Sequence, residues 1–171
     1  MVRDILAQLR RVSETGDYYL ALFGALAVPS ICGALESPDG EDTADRYAGW
    51  FDQYIGPKYR VGPRHEPSLS GRQCYKFRCA MLHQGRMTHA DLGYARILFI
   101  EPGSGFIAHN NVINDALNLD VERFCQDMID GTLQWLSAVE GTEPYETNLK
   151  QAVQRHPDGL PPYIVGVPVI S

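Results

Sequence analysis

Few of the features that mark specialised protein classes occur in this 171-residue chain. It has only four cysteines, Cys32, Cys74, Cys79 and Cys125, too few for a disulfide-packed miniprotein. Met1-Val2-Arg3-Asp4 opens a charged, helix-like stretch without the apolar run of a secretory signal, so the thiols are expected to be free in a reducing cytoplasm. Structural zinc spacing is missing. Cys74, Cys79, His83 and His89 are close in sequence, yet on a helix the two cysteines point apart, and neither a metal nor another cofactor is expected. There is no excess of positive charge: the formal net charge of -6 argues against coating nucleic acid or anionic membrane, so any nucleic-acid contact must be local. The chain carries no internal repeat and no low-complexity segment. Its one long uncharged run, Tyr18 to Leu35, is interrupted by Pro29 and Ser30, flanked by Asp17 and Glu36, and followed by no Lys or Arg cluster. That pattern reads as the central helix of a bundle rather than a membrane span.

What remains is an ordinary globular composition, with a length that suits a single domain over residues 1–171. Helical periodicity predicts helices over Val2–Ser13, Tyr18–Leu35 (bent near Pro29) and Ala44–Ile55. Ser70 is placed to cap a helix from Gly71 to Gln84, and Gly85 to end it. Asp120 is placed to cap a long helix with an apolar stripe through Val121, Phe124, Cys125, Met128, Ile129, Leu133 and Leu136, and a weaker helix is expected over Tyr145–Arg155. Trp50, Phe51, Tyr54 and Trp135 read as core. Arg96–Ile100 is rich in strand formers and is followed by a Pro-Gly-Ser-Gly turn and Phe106-Ile107-Ala108, which predicts a β-hairpin over about 96–108. From about residue 160 to 171 an apolar, proline-rich tail is expected to be extended and to dock somewhere. The predicted fold is mainly α, a helical domain with an inserted hairpin and an extended tail.

Charge is uneven along the chain. Between Lys58 and Arg96 stand eight Lys or Arg against two acids, whereas the rest holds seven against nineteen. At the centre of this basic stretch Arg78 and His83 bracket four residues. Five helical steps rotate about 140°, so the two side chains flank a shared groove near the helix end rather than stack on one face. A guanidinium that forks onto phosphate oxygens beside an imidazole that moves a proton is an arrangement suited to phosphate chemistry.

Arg78-Cys79-Ala80-Met81-Leu82-His83 resembles the marker of the HEPN superfamily, small helical domains with an Arg and a His a few residues apart late in a helix. The resemblance covers about residues 1–140, and the chain has Cys79 where many members carry a polar residue. It implies a HEPN-like helical bundle, with the hairpin and tail as local additions, and a homodimer whose paired motifs form one cleft. It further implies a metal-independent endoribonuclease in a toxin-antitoxin or defence role, possessing a neutralising partner protein, with Arg78 and His83 as the catalytic residues. Arg72, Tyr75, Lys76 and Arg86 are candidates for binding RNA, and Glu36, His109 and Asn110 for supporting the site from behind. The alternative from a different class is a non-catalytic module that holds RNA, a nucleotide or a partner protein in the same basic groove. In that case Arg78 serves an ion pair, for example with Glu36, and His83 is a residue favoured by the helix dipole.

Overall fold

The computed structural model describes residues 1–88, 93–103, 105 and 108–171. Six α-helices carry the fold: α1 (Val2–Glu14), α2 (Tyr18–Glu36), α3 (Ala44–Tyr54), α4 (Gly71–Gln84), α5 (Val121–Val139) and α6 (Glu143–Leu149). The apolar run is the central element, since α2 packs against each of the other five helices. By length and composition alone it is the one helix among the described residues that could cross a bilayer, and half of its apolar window is buried within the fold. Pro29 lies inside this helix and is buried. The end of α2 is finished by Asn148, whose side-chain amide donates to the carbonyls of Ala34, Leu35 and Ser37 at 3.2, 3.0 and 2.7 Å. A helix end left with orphan carbonyls is thereby closed by a residue from α6. Trp50, Phe51, Tyr54 and Trp135 are all buried, as expected of core aromatics.

The start of α4 is fastened to α3. Ser70 and Gln73 form a reciprocal capping box. The Gly71 N–H donates to Asp52 Oδ1 at 2.6 Å, Arg72 pairs with Asp45, and a Cβ at Gly71 would run into the backbone of Ala48. Only glycine permits this approach of the two helices.

The inserted β element differs from the hairpin expected over 96–108. Strand β3 (Arg96–Ile100) pairs in parallel with β5 (Ala116–Asp120), whose other edge takes β4 (Asn111–Ile113) in antiparallel register. The return strand was placed on Phe106 and Ile107, which, like His89, lie outside the described residues; Ala108, its last residue, is not in a strand. The observed hairpin is β4–β5, turned by Asn114 and Asp115, both with positive φ, as a two-residue hairpin loop requires. Central strand β5 is buried from Ala116 to Leu119 and runs directly into α5, where Asp120 caps the helix by accepting the Arg123 N–H at 2.8 Å.

Two further segments depart from the expected pattern. The loop from Gly56 to Ser70 contains a short pair of strands, β1 (Arg60–Val61) with β2 (Glu66–Pro67). The weak helix expected over Tyr145–Arg155 ends at Leu149, and Arg155 belongs to a strand. The tail is folded back on itself rather than extended along the body. Strand β6 (Arg155–His156) pairs with β9 (Val169–Ile170), and β7 (Gly159–Leu160) with β8 (Ile164–Val165). Ile170 and residues 151–155 face α1 and α2 across a groove of about 970 Å³.

Candidate functional site

Helix α4 turns Gly71, Cys74, Phe77, Ala80 and Met81 into the core, a spacing of three and four that leaves Tyr75, Arg78 and Cys79 half-buried at its flank. Gly85, in the left-handed region at φ 63°, ends the helix and sets His83 in the exposed last turn, where the helix dipole favours a cation. The arginine is long enough to close the 140° arc. Arg78 Nη1 lies 3.1 Å from His83 Nε2. A guanidinium can only donate, so this contact is a hydrogen bond in the tautomer that has its lone pair on Nε2 and its proton on Nδ1. The same Nη1 approaches Cys79 Sγ at 3.9 Å.

Behind this pair lies a polar group that the sequence reading missed. Asp42, in the loop before α3, is half-buried, and burial raises its carboxyl above the ordinary value; Ser30, Thr43 and the charges of Arg78 and Arg46 offset only part of that. Ser30 Oγ, Asp42 Oδ1 and Arg78 Nε are buried and have no hydrogen-bond partner among the described residues. Tyr47 and Tyr75, whose rings meet edge-on at 5.3 Å, feel both Asp42 and Arg78. The Tyr75 hydroxyl is pushed up first by the adjacent Cys79 sulfur and then by burial. Nothing local in Glu41-Asp42-Thr43 distinguishes Asp42 from an ordinary acid at a helix start, so only the tertiary fold reveals it.

The remaining candidates are distributed over the molecule. Arg72 is paired with Asp45, Lys76 lies half-buried on α4, and Arg86 is exposed just past the helix end. Glu36 does not meet Arg78; it accepts the Trp135 indole N–H at 2.7 Å. His109 and Asn110 belong to another cluster. His109 Nδ1 accepts the Asp120 N–H at 3.2 Å, and Nε2 faces Asp127 Oδ2 at 3.7 Å. Asp127 also accepts from Tyr59 Oη at 3.1 Å and Lys58 Nζ at 2.8 Å, while Asn110 bonds Ser68 and the Lys58 carbonyl. His109 Nδ1 is thus committed to the junction of β5 and α5, while Nε2 faces, beyond hydrogen-bond distance, the carboxylate that holds Lys58 and Tyr59. The basic stretch is partly neutralised by these folds, since Lys58 meets Asp127 and Asp130 and Arg72 meets Asp45.

Of the four cysteines, three are buried and Cys79 is half-buried beside Arg78. Among the described residues no group of three or more His, Cys, Asp or Glu converges as a metal site. An open cleft of about 1330 Å³ adjoins the His109–Asp127 cluster, but its acids and bases are interleaved: Glu14, Asp120, Glu122, Asp127 and Asp130 face Arg10, Lys58, Arg60 and Arg123. The Arg78–His83 pair lines neither that cleft nor the groove beneath the tail. Comparison of the chain with protein-family models, with curated proteins and with solved structures gives no match in any of the three.

Proposed function

We propose that this chain is a HEPN-type, metal-independent endoribonuclease of the cytoplasm that works as a homodimer, in a growth-control or defence role with a neutralising partner protein. The observation that carries the reading is the 3.1 Å contact between Arg78 and His83 at the exposed end of α4. An imidazole in an exposed helix end, with a guanidinium against its Nε2, matches what cleavage by the RNA 2′-hydroxyl needs. When a phosphate draws Arg78 onto its oxygens, His83 Nε2 is released to take the 2′-hydroxyl proton. The 2′-oxygen bonds phosphorus, the bond to the 5′-oxygen breaks, and that oxygen must receive a proton. A second copy of the chain supplies that proton from its own His83 in the imidazolium form, so that the two rings have exchanged protonation states when the 5′-hydroxyl leaves.

The dimer is supported by the outer face of α2. Tyr19, Leu20 and Phe23 are 79%, 60% and 38% exposed, and at helical spacing they share a face with Ala27 and Ser30. An uncovered apolar stripe that leads to Ser30, and so to the neighbourhood of Asp42 and Arg78, suits a two-fold contact that brings two motifs together.

The test is end-labelled, single-stranded or looped RNA incubated in EDTA with wild-type protein, His83→Ala or Arg78→Ala. Wild type should leave 2′,3′-cyclic phosphate and 5′-hydroxyl ends and spare DNA, and each variant should lose about 10²- to 10⁴-fold in rate while staying folded. Cleavage unchanged in His83→Ala marks a contaminating nuclease and removes the reading. No cleavage of any RNA, with RNA or nucleotide still bound, leaves the non-catalytic module in its place.

A further inference from the structure

We infer that Asp42 is a positioning residue for Arg78: its carboxylate, seated against α2 over Gly33, takes the inner edge of the guanidinium and turns the outer nitrogens toward substrate. What Arg78 is positioned for rests on the ribonuclease reading; the pairing itself does not.

Three buried polar side-chain atoms of α2, α4 and the loop before α3 have no close partner, although the Ser30 hydroxyl is near enough to Asp42 to lower its carboxyl, and their chemistry is complementary. Arg78 Nε is a donor, Asp42 Oδ1 an acceptor, and Ser30 Oγ either. Buried polar atoms are almost always paired, so each unpaired one calls for an explanation in strain, a functional role or a bound water or ion. The two charged residues are within electrostatic reach of each other, and each also acts on Tyr47 and Tyr75. The charged groups that face Asp42 are Arg46 from α3 and Arg78 from α4, and α2 contributes only the Ser30 hydroxyl. Arg46 is already committed, to Asp39 at 2.5 and 3.0 Å and to the Glu41 carbonyl at 2.6 Å. Among the described residues Arg78 meets His83 and, at long range, a sulfur. Of the two cations it is Arg78 whose Nε is buried without a partner.

The seat is shaped by a glycine. A Cβ at Gly33 would stand 2.9 Å from Asp42 Oδ1, so any other residue there would press on the carboxylate. A planar guanidinium can give one edge, Nε with one Nη, to a carboxylate and keep its remaining N–H groups for a phosphate. Asp42 would thus fix the guanidinium as it leaves His83. Burial raises the carboxyl in the fold, so its ionisation weakens the folded state as pH rises through the folded value, the reverse of what a residue kept for stability would do.

The experiment follows the Arg78 side-chain Nε–H resonance by NMR against pH, with melting curves at neutral pH, in wild type, Asp42→Asn and Gly33→Ala. In wild type the resonance should step as Asp42 ionises, above the ordinary carboxylate range. The step should vanish in Asp42→Asn, which should be at least as stable as wild type at neutral pH, and shrink in Gly33→Ala. On RNA, Asp42→Asn should lower kcat by up to about 100-fold with little change in KM, the cost of a misplaced group. A wild-type resonance with no step, or the same step in Asp42→Asn, overturns the pairing and needs no variant beyond those two. RNA cleaved equally by Asp42→Asn and wild type overturns the positioning role. A step present in a protein that cleaves nothing removes the ribonuclease reading and leaves the pairing standing.

Discussion

The Lys58 ammonium reaches from the loop after α3 to Asp127 on α5, at 2.8 Å, and lies over the buried Tyr59 hydroxyl that bonds the same carboxylate. The two partners do not contribute alike. Lys58 is 40% exposed and can turn to water, whereas Tyr59 is fully buried. Asp127→Ala should therefore cost about 1–3 kcal/mol, because it strands a buried hydroxyl, and Lys58→Met less than about 1 kcal/mol. Urea midpoints measure both, and a larger loss from Lys58→Met would mean that the ion pair, not the tyrosine, holds this corner.

His109 gives the fold a pH dependence. Burial, and then the nearby Arg123 charge, lower its ring below the ordinary 6.5, against the pull of Asp127 and Asp120. A histidine lowered in the fold contributes fully above its unfolded value, and that contribution is lost as pH falls through the folded one. Stability should drop as pH falls below about 6.5 for this reason. His109→Asn, which keeps an acceptor for the Asp120 N–H, should flatten that slope in paired denaturation series, and an unchanged slope would place the titration elsewhere.

Thiol reactivity should sort by burial. Cys74 and Cys125 are pushed up to about 12 by burial, and Cys32 well above its ordinary value. Near neutral pH a thiol reagent should label Cys79 promptly and the other three only on unfolding. Four thiols should titrate in denaturant, and a smaller number would reveal a disulfide.

The exposed face of α2 can be tested by oligomeric state. Leu20→Asp and Phe23→Asp place charges on an apolar stripe without disturbing buried neighbours, so both variants should stay folded and run as monomers in light scattering while wild type runs as a dimer. A wild-type monomer would remove the two-fold cleft, and dimeric variants would move the contact to another face.

How much could be read in advance followed from how local each cause is. The starts of α4 and α5 were legible because Ser70 and Asp120 act within one turn, and the end of α4 because Gly85 takes up the left-handed geometry itself. Arg78 and His83 were legible as a pair because one helix carries both. Asp42 was not, since its meaning depends on the packing of α2, α3 and α4. Strand β5 was not legible either. Ala116-Leu117-Asn118-Leu119-Asp120 lacks β-branched residues and reads as a lead into α5, and its parallel pairing with β3 has no short-range trace. The tail's extended form was legible but its pairing was not, because its partners are its own earlier residues: Gln154 and Ser171 exchange backbone hydrogen bonds at 2.6 and 3.0 Å.

The close approach at Gly71 makes α4 a lever. Its near end is bolted to α3 through Ala48, Asp52 and Asp45, and it carries the arginine about 10 Å and the histidine about 18 Å along the axis. A tilt of about 10° at that fulcrum would sweep His83 through about 3 Å, as long as a hydrogen bond. A methyl group added at Gly71 would thus retune the reacting end without touching it, and a ligand that shifts α3 would be felt there as motion.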